Sequence, residues 1–470
     1  MDKMSRSSTF RIIMLSSVAA LGGFLFGFDS GVINGTVDAL QAAFHSNAIG
    51  TGFNVASVLL GGAVGAFFGG MLADKIGRKY ALIGTAIIFI ASSWGAGISS
   101  SSTEFVFYRL FGGLAIGAAS VLSPAYISEI APSNMRGGLI SLQQLAIVIG
   151  LFCAFLSNYN LASIAGNASS ELWWGFEAWQ WMFWVGVIPA AIFLVLLLFI
   201  PESPRYLVAA NKSEKATNIL AKITNLENAK KQVEEIRSTV LLERKPRFSD
   251  IINKKTKKLY TVVWIGIGLA ALQALTGIDV IFYYGAVLWQ AAGFTEADAL
   301  LTNVIIGAVN IGFTVIAIFL VDRIGRKPLL LIGGLGQAAM LGLMAVLFTT
   351  SAKDAVDGIE MGDANGIVLL IAAMGFIAFF ALTWGPIMWV MLGEIFPNKF
   401  RGVALAIAGT FNWGANFLVN ITFPVLLRSA GLGVSYGIYA VFGIIASLFV
   451  YYYVPETKGK TLEEISMGQE

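Results

Sequence analysis

The sequence predicts an all-α membrane protein whose twelve spanning helices form two six-helix bundles joined by a short helical linker. Three observations support this. The 470 residues are 57% hydrophobic and 13% charged, with a mean hydropathy of +0.76, whereas roughly a quarter of the residues of a soluble domain are charged. Apolar stretches long enough to cross a hydrocarbon core of ~30 Å recur on both sides of one polar stretch, 202–258. Three charged cassettes also appear twice in the same order. Asp74-Lys-Ile-Gly77-Arg78-Lys79 returns as Asp322-Arg-Ile-Gly325-Arg326-Lys327. Glu129-Ile-x-Pro132-x-x-x-Arg136-Gly137 returns as Glu394-Ile-x-Pro397-x-x-x-Arg401-Gly402, and Pro201-Glu202-Ser203-Pro204-Arg205 as Pro455-Glu456-Thr457-Lys458-Gly459. Cassettes repeated in order between apolar runs denote two homologous membrane halves, the plan of a transporter.

The spans read as 12–33, 52–73, 80–99, 105–127, 138–159 and 181–200, then 259–291, 299–321, 328–350, 367–393, 402–428 and 433–454. The first follows a basic start as a secretory signal would. It is too long for one, shows no small-x-small cleavage site and carries Asp29, so it reads as retained. Lys and Arg crowd the turns 74–79 and 322–328 and the stretch 202–258, while 34–51 and 159–180 hold neither. The positive-inside rule then places both termini and 202–258 in the cytoplasm. The expected division is 1–201, 202–258 and 259–470: bundle, cytoplasmic linker, and bundle with a short tail. The linker has helical patterning over 213–244 but too little apolar material for a core of its own, so it reads as a brace. Gly23, Gly27, Gly31 and Gly35, and again Gly61, Gly65 and Gly69, recur every fourth residue, stripes that let helix backbones approach closely in lipid.

His45 and Cys153 are the only residues of their kinds, so no metal site, activated nucleophile or intrachain disulfide can be built. An enzyme and a bound cofactor are not expected. Residues 454–461 graze a phosphate-loop pattern but lack its first glycine and follow no strand, which argues against an ATP-driven pump. A binding-only sensor would be expected to carry a long signalling tail, and about fifteen residues follow the last span by this hydropathy reading.

Each Asp-x-x-Gly-Arg-Lys cassette lies on a short turn at the membrane face. Its charges can pair with helix ends and with Glu129, Arg136, Glu394 or Arg401. A network formed only when the halves touch would latch one side shut, with Asp74, Arg78, Glu202, Asp322, Arg326 and Glu456 as the other members; charges that merely set topology are the alternative.

These cassettes, with Arg109-x-x-x-Gly113-x-x-x-Gly117, PESPR at 201–205 and PETKG at 455–459, resemble the signatures of the sugar porter family of the major facilitator superfamily, from the first span to residue 465. The resemblance implies two six-helix bundles, a central site opened alternately to either side, and a monosaccharide cargo. Asp29 and Arg109 are ionisable groups at membrane depth, costly unless paired. Aligning the halves on Glu129 and Glu394 sets Met374 opposite Arg109, so the arginine belongs to one half only. A buried Asp–Arg pair that breaks on protonation is a proton switch; one that never opens is a static clamp. The resemblance adds that proton-coupled members carry an acid where Asp29 stands and many passive ones a neutral residue, though some passive bacterial members keep the acid.

A sugar needs groups that both donate and accept, and an aromatic face for its C–H surface. The spans offer Gln144, Gln273, Asp279, Asn310, Trp389, Asn412 and Asn416, and the resemblance picks out these positions, with Phe24, Phe380, Tyr283 and Tyr284 lining or gating the cavity. The seventh span departs from the family pattern Gln-Gln-x-x-Gly-Ile-Asn, reading Gln273-Ala274-Leu-Thr-Gly277-Ile278-Asp279. Ala274 removes a hydroxyl partner, and Asp279 removes a donor while adding a titratable group. The expected partners are a monosaccharide, a proton and the lipid of a bacterial plasma membrane, with no nucleic acid, and the chain is expected to act as a monomer. Passive facilitation of the same sugar is the competing reading.

Overall fold

The computed structural model describes residues 6–132, 135–222, 225–242, 248–252, 257–351, 363–397 and 400–458. The first half of the chain comprises α1 (Arg6–Asn34), α2 (Val37–Ala43), α3 (Ala48–Ile76), α4 (Arg78–Ile98), α5 (Ser102–Ile130) and α6 (Arg136–Ala165), a small antiparallel hairpin of β1 (Glu171–Trp173) and β2 (Phe176–Glu177), then α7 (Ala178–Val185) and α8 (Val187–Phe199). The polar stretch holds α9 (Pro204–Ala209), α10 (Ser213–Ala221), α11 (Leu226–Leu242) and a 3-10 turn at Phe248–Ile251. The second half comprises α12 (Thr261–Leu275), α13 (Ile278–Ala291), α14 (Glu296–Ile324), α15 (Arg326–Thr350), α16 (Asp363–Leu382), α17 (Trp384–Ile395) and α18 (Arg401–Tyr453).

Among the described residues, 11 helical segments are long and apolar enough to cross a bilayer. The last, α18, has 53 residues and would reach ~80 Å if straight, at about 1.5 Å per residue. Gly431 interrupts it with φ 78° and ψ 174°, so it makes two crossings and the total is twelve. Two spans read as continuous from hydropathy are broken in the structure. The seventh divides at Gly277 and the tenth at Thr383, while the sixth is interrupted at Gly186 with its backbone still helical, at φ −61° and ψ −21°. Gly277 has φ 77°, a left-handed conformation that costs a side chain and is free to glycine. Hydropathy is blind to these breaks, because a single Gly or Thr barely lowers an apolar window.

The glycine stripes pack helix on helix within the first half. A Cβ on Gly27 would strike the carbonyl of Ile147 on α6, and one on Gly65 the carbonyl of Leu114 on α5. The polar stretch builds a small apolar cluster from Leu207, Val208, Ala216, Leu220, Ala229 and Val233. It also touches both halves: α9 packs on α5 and the 3-10 turn on α18.

The two faces of the molecule differ. The linker face carries the polar stretch; the far face carries α2 and the hairpin, where the Trp173 and Trp174 rings pack on Trp181, placed as interfacial aromatics usually are. The halves meet along α1 with α13, α3 with α18, and α6 with α14. Phe26 packs on Trp413 at 5.6 Å, Phe53 on Phe417 at 6.3 Å, and Phe152 and Phe155 lie beside Gly307. These contacts run from mid-membrane to the far face.

Gly27→Ala should lower the melting temperature of the detergent-solubilised protein, because overpacking a tight seam costs about 1–3 kcal/mol. Gly84→Ala, with open space around it, should melt like the parent. Gel filtration after graded heating reads both.

Candidate functional site

Arg109 of α5 is 1% exposed and Asp29 of α1 is 6% exposed. Nη1 of the arginine meets Oδ1 of the aspartate at 2.5 Å, and the guanidinium lies 5.7 Å from the Phe183 ring centre on α7. Nε and Nη2 of Arg109 are buried without an acceptor among the described residues. The carboxylate is thus the anion that compensates this arginine, and neutralising it would leave a buried cation uncompensated.

Ser30, the neighbour of Asp29, shares a 3.1 Å hydrogen bond with the Tyr283 hydroxyl across the two halves. One turn on, the Asn34 amide donates to the carbonyls of Ile281 and Phe282 at 3.2 and 3.0 Å, and its oxygen accepts from Ala286 N and Asn303 Nδ2 at 3.1 and 2.8 Å. Towards the far face Gln290 donates to Asp38 at 2.9 Å and Ala168 N to Glu296 at 2.8 Å. Burial pushes the Asp38 carboxyl up; the Gln290 bond opposes the shift and the Glu296 charge adds to it. This polar seam closes the far side, and the sequence reading missed Ser30, Asn34, Asp38, Glu296 and Asn303. An amide or acid near the end of an apolar run looks like the start of a loop, so only the place of Asn34 between Gly31 and Gly35 of the glycine stripe could have signalled it.

The expected sugar-facing residues divide into two sets. Gln273 donates to Trp384 O at 2.7 Å and accepts from Asn412 at 3.0 Å; Asn412 also donates to Ala270 O at 2.8 Å, and Asn416 to Asn412 at 3.4 Å. These amides form one row on α12 and α18, held by helix-to-helix bonds that fix their orientation. Gln144 on α6, Asn310 on α14 and Asp279 on α13 have no hydrogen-bond partner among the described residues, and Gln144 and Asp279 are half-buried. Trp389 on α17 is 41% exposed. Phe24 stacks on Phe28 at 6.1 Å, and Phe380 packs beside Gly385. Tyr284 donates to Asn420 O at 2.8 Å, a bond internal to the second half.

The cassettes build two matching knots on the linker face. In the first half Arg78 Nη2 meets Asp74 at 3.0 Å and Glu129 at 3.2 Å, and Ser203 donates to Glu129. Glu202 accepts from the amides of Arg78, Lys79 and Ser203 at 2.9, 3.1 and 2.7 Å. In the second half Arg326 forks onto Glu394 at 2.9 and 3.1 Å, and Thr457 donates to Glu394 at 2.6 Å. Glu456 accepts from the amides of Arg326, Lys327, Thr457 and Lys458 at 2.8–3.1 Å. Gly77 and Gly325 have φ of 101° and 108°, and each brings its helix N-terminus onto a glutamate, where partial positive charge favours an anion. Arg401 donates to Phe396 O at 3.1 Å. The side chains of Arg136 and Asp322 lie outside the described residues. Among the described residues the cassette pairs seen are internal to each half, because each cassette glutamate lies at its own half's helix ends.

A membrane protein with twelve crossings in two six-helix bundles, a buried ion pair at its centre and twin charged knots on one face is a solute transporter of the major facilitator fold. The family model for sugar (and other) transporters matches residues 15–468, and the chain belongs to that family; its members are transporters, not enzymes. It is 48% identical to the glucose transport protein of Synechocystis sp., over 97% of both chains. It is 39% identical to the D-xylose-proton symporter of Escherichia coli K12, over 97% of this chain and 95% of that one. The solved inward-open conformation of the xylose transporter XylE from E. coli matches with a TM-score of 0.82 at 37% identity, over 98% of this chain and 100% of that one.

Burial acts to raise the Glu456 carboxyl, but the backbone amides of Lys458, Arg326, Lys327 and Thr457 outweigh it and hold it below the usual carboxylate range. A depressed carboxylate stabilises the fold above its unfolded value and loses that contribution as pH falls through its folded one. Glu456→Gln should therefore melt earlier than the parent at pH 7, and the gap should close as pH falls below about 4; melting curves across that range read it.

Proposed function

We propose that this chain imports a monosaccharide, glucose or a related hexose or pentose, together with a proton across a bacterial plasma membrane by alternating access. The observation that carries the reading is the buried Asp29–Arg109 pair, which sits in one half only and beside one of the bonds that join the halves. The proton-coupled naming of the E. coli relative and the glucose naming of the Synechocystis relative support it. With the basic linker face in the cytoplasm, the closed far seam makes this conformation inward-facing. Residues 1–201 and 259–470 act as the two moving bodies and 202–258 as their brace, within a monomer.

In this mechanism the amide row of Gln273, Asn412 and Asn416 meets the sugar hydroxyls, joined by Gln144, Asn310 and Asp279, while Trp389, Phe24 and Phe380 cover its C–H face. The knots around Glu202 and Glu456 keep each half rigid, so that the halves rock instead of deforming. Protonation of Asp29 removes the counter-charge of Arg109 and frees α1, whose Ser30 and Asn34 hold Tyr283 and α13. Tyr283 thereby gates the far side, with Tyr284 supporting it.

Asp29→Asn mimics the protonated acid permanently. In proteoliposomes, accumulation of labelled sugar driven by a proton gradient should vanish while counterflow persists; a parent protein that never accumulates sugar under such a gradient would overturn symport in favour of facilitation. Trp389→Ala and Gln273→Ala should each weaken sugar binding measured by calorimetry, the glutamine by about 1 kcal/mol or somewhat more, with the melting temperature little changed for Trp389→Ala because its ring is already half exposed. Unchanged affinity in both would move the site elsewhere.

A further inference from the structure

Asp29 is compensated by Arg109, and Glu129 and Glu394 face Arg78 and Arg326. Asp279 is different. It lies within the seventh span, half-buried, with neither a hydrogen bond nor an ion pair among the described residues. We propose that Asp279 is a second proton-binding group of the transport cycle, taking up a proton as a sugar is enclosed beside it, in addition to the proton carried at Asp29. The inference rests on the sugar-transport reading above and adds a titrating role to one residue of that site.

The surroundings define the chemistry. Asp279 stands two residues past the left-handed Gly277, in the first turn of α13. The positive end of that helix favours an ionised carboxylate while water also reaches it. Enclosing a sugar removes that water, and among the described residues no cation pairs with the carboxylate to replace it. The titratable and charged groups around it are few. Tyr283 lies one turn along α13, with Asp29 on α1 and Arg109 on α5 beyond it. Tyr439 on α18 packs its ring against Gly277. Helix α12 contains no titratable residue, α14 none between Asp298 and Asp322, and Asp38 of α2 meets the opposite end of α13 through Gln290. Arg109 makes its ion pair with Asp29 and none with Asp279, so an enclosed Asp279 sheds its charge most readily by binding a proton: the carboxylate oxygen takes H⁺ from water on loading and returns it on unloading.

The geometry also ties the two acids together. Tyr283 follows Asp279 by four residues, on the same face of α13, and its hydroxyl bonds Ser30, the neighbour of Asp29. Parting the halves on the far side breaks that bond and changes the surroundings of both acids in one motion. The family pattern carries an uncharged Asn at this position, so the second proton would be a property of this chain's own substitution.

The test counts protons per sugar. Purified protein in weakly buffered detergent solution with an indicator dye is titrated with D-glucose and with D-xylose near neutral pH, and calorimetry records binding separately. Asp29→Asn should still take up protons on binding sugar, Asp279→Asn should take up fewer than the parent, and the double variant should take up none. Equal uptake by Asp279→Asn and the parent, or sugar binding without any uptake by a variant carrying both Asp29→Asn and Arg109→Gln, would overturn the proposal while leaving sugar transport standing. Absence of binding heat for both sugars in the parent would overturn the functional reading and this inference with it. Where Asp279→Asn binds too weakly to assay, the variant carrying both Asp29→Asn and Arg109→Gln decides, since Asp279 is intact there and no freed guanidinium stands near it.

Discussion

Inside hydrocarbon an ionised side chain is tolerated only with its counter-charge, and a backbone amide or carbonyl only with its partner in a helix or beside one. These two conditions organise the molecule. They drive the chain into helices from end to end and push most charges to the two faces. They also make each charge left within the membrane conspicuous. Where a helix ends or loosens, something must satisfy its free groups: Glu202 and Glu456 take the first amides of α4 and α15 at the linker face, and Asn34 bonds Ile281 O, Phe282 O and Ala286 N inside α13. The polar residues of this protein are mostly the means by which helix ends are tied to one another.

The twin knots show how a duplicated gene keeps what is structural and varies what is not. Glu129 with Arg78 and Ser203 has its counterpart in Glu394 with Arg326 and Thr457, down to the hydroxyl that bonds the carboxylate. Even the lysines match: Lys79 donates to Leu198 O at 2.8 Å and Lys327 to Tyr451 O at 2.9 Å, each tying down the end of its half's last helix. Arg109 has no such counterpart, since Met374 occupies the equivalent place. Symmetry holds at the linker face and is broken at the centre.

Much of this was legible in the sequence because the bilayer writes in long, strong signals. Twenty-residue apolar runs, fourth-residue glycines and an aspartate and an arginine at depth each have few alternative explanations, and the packing of Gly27 on α6 and the pairing of Asp29 with Arg109 follow from them. The breaks at Gly277 and Thr383 escaped, since one residue cannot move a hydropathy average. The far seam escaped because Asn34 and Asn303 carry no charge and sit near span ends. The cassettes were legible as a repeat, and Glu129 and Glu394 as partners of their charges, but not the half each partner serves: helix geometry decides that Arg78 reaches Glu129 of its own half. The row of Gln273, Asn412 and Asn416 shows a related limit. The same amides were readable as helix glue or as sugar ligands, and in the folded chain their donors are largely engaged with other helices, leaving orientation as what they offer a ligand.

The join within α18 has a mechanical meaning. Its two crossings are separated by one non-helical residue, Gly431, whereas crossings five and six are separated by the whole stretch 166–177. A connection that short has no slack. The crossing that bears Asn412 and Asn416 is therefore bound to the crossing that presents Val441, Ile444, Ile445 and Leu448 to lipid. Tilting one drags the other through the acyl chains, so part of the work of moving the second half is elastic work on the bilayer, set by lateral pressure and acyl-chain order as well as by solute and ion.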